Sequence, residues 1–169
     1  VGWTDAIGSL GVAGSDANPY LVLAAVRSFG LDAWIVRSVN VYGPGQYPEK
    51  FIPLAVTTLL SGAQVPVYGD GEQVRDFIHV DDIVAVNLWA WRQAAKSGIY
   101  NLGTGQARSF NDVARAVLKW HGRGRIQYVP FPGHLVGSYQ SYTQADLTGL
   151  RAAGYEGAFI PIEEGVPRY

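Results

Sequence analysis

Three stretches of the sequence hold residue types at spacings that could do chemistry. Gly8, Gly11 and Gly14 recur at intervals of three. That is the spacing of a loop in which a backbone free of Cβ atoms approaches a dinucleotide pyrophosphate at a helix N-terminus. The context favours a plain glycine-rich segment instead: no strand-like run precedes Gly8, no acidic residue lies about 20 positions on, and Pro19 falls where the helix should be under way. Arg37–Pro44 (RSVNVYGP) reads as a strand that leaves through Asn40, Tyr42 and Gly43-Pro44. Such an exit delivers polar groups to the C-terminal edge of a strand, where open α/β sheets bind ligands; an ordinary strand-to-turn exit has the same composition. Gly69–Asp76 (GDGEQVRD) sets Arg75 behind a glycine turn. Its planar guanidinium suits a phosphate or pyrophosphate; the alternative is a surface arginine paired with Asp76.

Other candidates have plainer readings. Asp81 and Asp82 look like paired carboxylates but stand where side-chain oxygens cap a helix. His79 lies in an apolar stretch and reads as a satisfied core residue. His79, His121 and His134 have no metal-ligand spacing, and without cysteine there is neither a thiolate site nor a disulfide, so no metal is expected.

These residues need elements to position them. The apolar spacing from Tyr20 to Phe29 predicts a helix stopped by Gly30, and Ala33–Val41 (AWIVRSVNV) predicts one buried strand. Phe51–Leu60 reads as a helix that tolerates Pro53 in its first turn. Val65–Tyr68 and Arg75–Val80 read as strands around the glycine turn, followed by a helix over Ile83–Lys96 and a strand over Ile99–Leu102. Ser109 and Asp112 have capping-box spacing, and Phe110, Val113, Ala114, Val117 and Leu118 recur on one helical face. Ile126–Val129 is a further strand, and the same capping-box spacing at Thr143 and Asp146 predicts a helix through Ala153. Alternating strands and helices make the fold class α/β.

Composition narrows the function. A length of 169 residues is about one domain. Only 16% of the residues are charged, below the usual ~25%, yet 48% are hydrophobic, which argues for a packed core over a solvated chain. Thirteen basic against 14 acidic residues give a net charge of -1 without runs, so nucleic acid is not an expected partner. No apolar run approaches the ~20 residues of a membrane span, and the N-terminus lacks a signal-peptide pattern. A cytoplasmic protein binding small molecules is expected, with no membrane partner. The chain starts at Val1 and contains no methionine, so either its start is trimmed or it is a piece of something longer.

In combination the motifs resemble the extended short-chain dehydrogenase family, the NAD(P)-dependent nucleotide-sugar epimerases and dehydratases. Arg37–Pro44 (RSVNVYGP), Val67–Val84 (VYGDGEQVRDFIHVDDIV) and Ile99–Gly105 (IYNLGTG) are that family's blocks in its order. From Ser97 onward the sequence is most similar to the ADP-heptose 6-epimerase branch; Asn40 to Arg75, including PEKFIPLAV, is more similar to the dTDP-glucose 4,6-dehydratase branch. The resemblance implies a partial Rossmann-like fold with a C-terminal substrate-binding region. It divides the chain into 1–48, from the dinucleotide-binding domain, and 49–169, mostly substrate-binding, with about 65–105 returning to the Rossmann sheet. It implies epimerisation through transient oxidation to a keto sugar by NADP or NAD. The implied partner is a nucleotide-diphosphate sugar, ADP-heptose for the first branch, with a part in lipopolysaccharide-precursor supply and a homo-oligomeric assembly.

Carried onto this sequence, Asn18-Pro19-Tyr20 matches the family's active-site block, making Tyr20 the acid/base and a cofactor contact. Gly8–Gly14 (GSLGVAG) places Ser9 at the hydroxyl-orienting position. Asn40 matches a substrate-binding asparagine, and Val41 falls beside the nicotinamide. Lys50 lies close to a second acid/base lysine of the heptose branch. Tyr68 and Arg75 match nucleotide-diphosphate contacts, and Tyr139 a substrate tyrosine. The sequence also departs from the pattern. Ala24 stands four after Tyr20, where the family has lysine, and Ser138 stands where the heptose branch has arginine. The glycine fingerprint and the ribose-binding acid are not recognisable. Three readings stay open: an epimerase of weak or no activity as this chain, a nucleotide-sugar 4,6-dehydratase or 4-epimerase, and a non-catalytic nucleotide-sugar-binding module. Apolar surface exposed around Trp34–Val39 is expected, with oligomerisation or molten behaviour.

Overall fold

A computed structural model describes residues 18–93, 97–133 and 139–169. Gly8, Ser9, Gly11 and Gly14 lie outside the described residues, as do His134 and Ser138. Helix α1 spans Asn18–Phe29 and ends where Gly30 takes φ 64°, as its sequence predicts. Of its side chains from Tyr20 on, none is buried.

The predicted single strand Ala33–Val41 is two strands, a correction with a physical cause. β1 (Trp34–Ser38) pairs in parallel with β5 (Gly98–Leu102), and β2 (Asn40–Tyr42) pairs in parallel with β4 (Val74–His79). The chain changes partner at Val39, whose N–H donates to the Leu102 carbonyl at 3.0 Å and closes the first ladder. Between β2 and β4 lie α2 (Phe51–Leu60) and β3 (Val65–Tyr68). β3 pairs in parallel with β7 (Ile126–Val129). A strand not foreseen in the sequence, β6 (Ala107–Ser109), runs antiparallel to β4 from Val74 to Asp76.

Helix α3 spans Val80–Arg92, starting earlier than predicted. Its cap is His79, whose Nδ1 accepts from the Asp81 N–H at 3.2 Å, so Asp81 and Asp82 are first-turn acids and not caps. Helix α4 (Phe110–His121) has the predicted capping box, with the Ser109 hydroxyl accepting from the Asp112 N–H at 3.0 Å and the Asp112 carboxylate from the Ser109 N–H at 3.1 Å. Val113, Ala114 and Val117 on its apolar face are fully buried. The second capping box does not form. Thr143 instead extends along β4, exchanging backbone hydrogen bonds with Val74 and Asp76, and helix α5 starts only at Thr148 and runs to Ala152. A short helix α6 (Ile162–Gly165) and a 3-10 turn (Val166–Arg168) complete the described chain.

Two apolar cores flank β2 and β4, because successive side chains on a strand point to opposite faces. Phe77 and Tyr42 pack with α2, α4 and β3, while Ile78 packs with β1, α3 and α5. Trp34, Ile35 and Val36 are 3–4% exposed, which corrects the expectation of exposed surface there; Trp34 and Val36 share a core with Leu102 of β5 and with Val86 and Ala90 of α3. Exposed apolar residues lie elsewhere, among them Tyr20, Leu21 and Phe29 of α1 and Val84, Leu88 and Trp91 of α3. No helix among the described residues is long and apolar enough to cross a membrane.

Candidate functional site

A cleft of about 640 Å³ opens between the β2–β4 layer and the β3–α2 wall. Asn40, Val41, Lys50, Tyr68, Arg75 and Tyr139 all line it, so six of the eight residues singled out in the sequence share one cavity. Register explains the convergence. Asn40 lies opposite Phe77, two residues along β4 from Arg75, so all three share a face of the sheet.

Arg75 is only 7% exposed. Its Nη1 donates to the Val74 carbonyl at 2.8 Å and its Nη2 to the Gln140 carbonyl. The guanidinium lies over the Tyr139 ring, 4.9 Å from the centroid. No carboxylate among the described residues forms an ion pair with it. A guanidinium has five N–H donors, and two hydrogen bonds leave capacity for an anion. Burial of an uncompensated positive charge is costly, and an anionic ligand removes that cost.

The alternative pairing of Arg75 with Asp76 is absent, again because of strand alternation. Asp76 faces the opposite side and is fully buried. It accepts from the Thr104 N–H at 2.9 Å, the Thr104 hydroxyl at 2.5 Å, the Gly105 N–H at 2.9 Å and the Ala145 N–H at 3.2 Å. That carboxylate ties the Gly103–Gly105 turn and the 143–146 segment to β4, and so fixes the strand from which Arg75 projects.

Aromatic rings continue the wall beyond Arg75. Phe131 meets Tyr139 edge-on at 5.1 Å and Tyr68 at 6.3 Å between centroids. Glu49 and Lys50 lie at the opposite side, both exposed, with no ion pair between them. Lys50 occupies the N-cap position of α2, lines the cleft and forms no ion pair among the described residues. Glu49, Gln46 and Phe131 were not singled out in the sequence. They flank recognisable turns, but a loop residue's direction is set by tertiary packing and has no periodic signal.

Tyr20 does not line the cleft, and its side chain is 71% exposed on α1. Beneath the cleft, His79 is 1% exposed with Nε2 unpartnered, so only one of its nitrogens is satisfied. Asp82 is buried and accepts from the Ile160 N–H at 2.9 Å; desolvation pushes its carboxyl up. Burial, with Asp82 and Glu163 adding to it, drives the Tyr42 hydroxyl well above the usual phenol range, so Tyr42 stays neutral at the cleft floor. Among the described residues no cluster of histidine, aspartate and glutamate could hold a metal ion.

Residues 17–103, just over half of the chain, match the family described as "NAD dependent epimerase/dehydratase family". The ADP-L-glycero-D-manno-heptose-6-epimerase of Alkalilimnicola ehrlichii is 49% identical over 144 residues, covering 79% of this chain and 45% of that protein. The solved dTDP-glucose 4,6-dehydratase DesIV of Streptomyces venezuelae, with NAD bound, superposes with a TM-score of 0.75 at 30% identity, covering 99% of this chain and 53% of its own. The UDP-glucose 4-epimerase of Thermotoga maritima, solved with UDP-glucose, superposes with a TM-score of 0.74 at 30% identity, covering 89% of this chain and 48% of its own. The chain spans about half the length of the relatives it matches.

Proposed function

The chain belongs to the NAD dependent epimerase/dehydratase family, and on that footing we propose that its cleft binds a nucleoside-diphosphate sugar, as the substrate-binding part of an NAD(P)-dependent epimerase. The observation that supports this most is Arg75: a buried guanidinium without a carboxylate partner, stacked on Tyr139, in the same cavity as Asn40 and Lys50. In this reading the diphosphate accepts from Arg75, and the rings of Tyr68, Phe131 and Tyr139 flank the nucleotide. Asn40 lies opposite Phe77, about 7 Å along β4 from Arg75, where the sugar begins. Lys50 offers a side-chain amine that can give a proton to the sugar as its ammonium, or take one as its neutral amine. The heptose 6-epimerase relative makes an ADP-heptose the favoured substrate. In the same reading the protein acts in the cytoplasm as a homo-oligomer. In this reading residues 49–169 are mostly its substrate-binding region, with about 65–105 returning to the Rossmann sheet.

The family's cofactor, NAD or NADP, takes a hydride from the sugar and returns it. The described residues do not by themselves fit that group. The Gly69–Gly71 and Gly103–Gly105 turns are committed: the Thr104 and Gly105 N–H groups donate to Asp76, and the Gly69 and Gly71 N–H groups to the Val129 and Tyr68 carbonyls. Of the two cofactor contacts implied by the sequence, Val41 lines the cleft and Tyr20 does not.

A second reading, nucleotide-sugar binding without redox chemistry, is favoured by the exposure of Tyr20 and by alanine at position 24. Calorimetric titration with ADP-mannose, ADP and NADPH separates the two. Binding of ADP-mannose and NADPH together supports the epimerase. ADP-mannose alone supports the binding module. No binding of ADP-mannose or ADP overturns both.

A further inference from the structure

Gln73 immediately precedes β4, and strand alternation sets it on the same face as Arg75 and Phe77. All three line the cleft, whereas Val74 and Asp76 between them do not. The backbone here is fixed. The Gln73 carbonyl accepts from the Phe110 N–H at 3.1 Å and the Gly71 carbonyl from the Asn111 N–H at 3.2 Å, so the first turn of α4 holds the 69–73 turn. The side-chain amide of Gln73 is uncommitted: it makes no hydrogen bond among the described residues, and neither of its ends is shut off from solvent.

Its neighbours are aromatic. A Cβ on Gly69 would stand 3.6 Å from Gln73 Nε2 and 3.6 Å from Phe131 Cδ2, so the amide and the Phe131 ring lie side by side over that turn. Phe131 in turn meets Tyr68 and Tyr139 edge-on. An amide at the border of such a wall offers a donor and an acceptor in one plane, beside apolar surface that suits a flat ring.

Position says which part of the ligand is met. Asn40, where the sugar begins, lies opposite Phe77, two residues beyond Arg75, and Gln73 lies two residues before it. At about 3.3 Å per residue, Gln73 leaves the backbone roughly 7 Å from Arg75, on the side away from the sugar. A diphosphate held at Arg75 then has its ribose in that interval and its base against Gln73 and Phe131.

We propose that Gln73 reads the base. Its Oε1 accepts from an exocyclic amine and its Nε2 donates to the adjoining ring nitrogen, the pattern that adenine presents, with the ring packed beside Phe131. This rests on the nucleotide-sugar reading of the cleft.

The test measures the affinity for ADP and for purine riboside diphosphate, which lacks the exocyclic amine, in the full chain and in Gln73→Met, which keeps the side-chain volume, with Gln73→Leu as the second variant. The unaltered chain should bind ADP about tenfold more tightly than the second ligand, and both variants should lose about tenfold in ADP affinity and bind the two ligands alike. Equal losses for both ligands would show that Gln73 merely shapes its turn, and unchanged affinities would show that it touches no ligand. No preference for ADP in the unaltered chain would show that the amine is not read. Each of these overturns the proposal. Failure of the unaltered chain to bind either ligand overturns the underlying reading instead.

Discussion

The guanidinium of Arg75 lies 4.9 Å from the centre of the Tyr139 ring, and one strip of backbone holds them together. The Gln140 carbonyl accepts from Arg75, while the Val74 N–H donates to Ser141 and the Asp76 N–H to Thr143, so residues 140–143 run along β4. The arginine is thereby fixed before any ligand arrives, which lowers the entropy lost on binding.

Arg75→Leu should abolish measurable ADP binding while leaving the melting temperature unchanged or raised. Replacing a buried charge that has no ion-pair partner by an apolar side chain removes a desolvation penalty. Arg75→Lys should recover little of the binding, because an ammonium has neither the planar fork nor the same stacking on Tyr139. Calorimetric titration and thermal melts of the three proteins check this. A large drop in melting temperature for Arg75→Leu would make Arg75 a structural residue.

Asp76 should behave in the opposite way. Asp76→Ala leaves the Thr104, Gly105 and Ala145 N–H groups without their acceptor in a fully buried place. The expected loss is on the order of 3 kcal/mol or more, read from urea unfolding. Amide exchange should quicken at Thr104 and Gly105 first.

That contrast between neighbours shows what the sequence makes legible and what it does not. The α4 face, its Ser109 cap and the strands around the Gly69 turn follow from spacing and turn chemistry, which are local. The break at Val39 is not local: β1 and β2 read as one apolar run, and only the different partners β5 and β4 divide it. Thr143 and Asp146 have helix-capping spacing, but pairing of Thr143 with β4 wins because it meets the backbone groups of Val74 and Asp76. At the site, Asn40 and Arg75 stand out by residue type, and the resemblance adds Lys50, Tyr68 and Tyr139. Gln46, Glu49 and Phe131 are silent in the sequence, because only tertiary packing turns these loop residues toward the cleft.

Two carboxylates should give stability opposite dependences on pH. Desolvation holds Asp82 above its ordinary value near 3.8, so folding favours its protonated form. Its destabilising effect sets in as the pH rises above that ordinary value and is complete once the pH exceeds the folded value. Asp82→Asn should therefore stabilise the protein at neutral pH and have no such effect in acid. For Asp112, burial acts upward, but hydrogen bonds from Ser109 and the Arg115 pairing outweigh it and hold the carboxyl below its ordinary value. Its stabilisation is present above the unfolded value and is lost as the pH falls through the folded one. Ser109→Ala, which removes half of the capping box, should cost about 1 kcal/mol at neutral pH. Urea unfolding of both variants from acid to neutral pH checks the signs; parallel profiles would contradict them.

The apolar residues exposed on α1 and α3 should govern solution behaviour, whereas β1 should govern stability. Val84, Leu88 and Trp91 recur at helical spacing on one face of α3, with Trp91 74% exposed and Trp34 only 4%. An exposed apolar stripe promotes association but contributes little to the fold of a single chain. Leu88→Lys combined with Trp91→Lys should leave the urea midpoint nearly unchanged and reduce both self-association in sedimentation velocity and binding of an apolar dye. Trp34→Ala should instead cost roughly 3–5 kcal/mol, because Trp34 stacks on Tyr100 at 3.8 Å and meets Trp89 edge-on at 5.8 Å, leaving a cavity when removed. If the lysine pair destabilised the chain as much as Trp34→Ala, the α3 face would have to be covered within the chain itself.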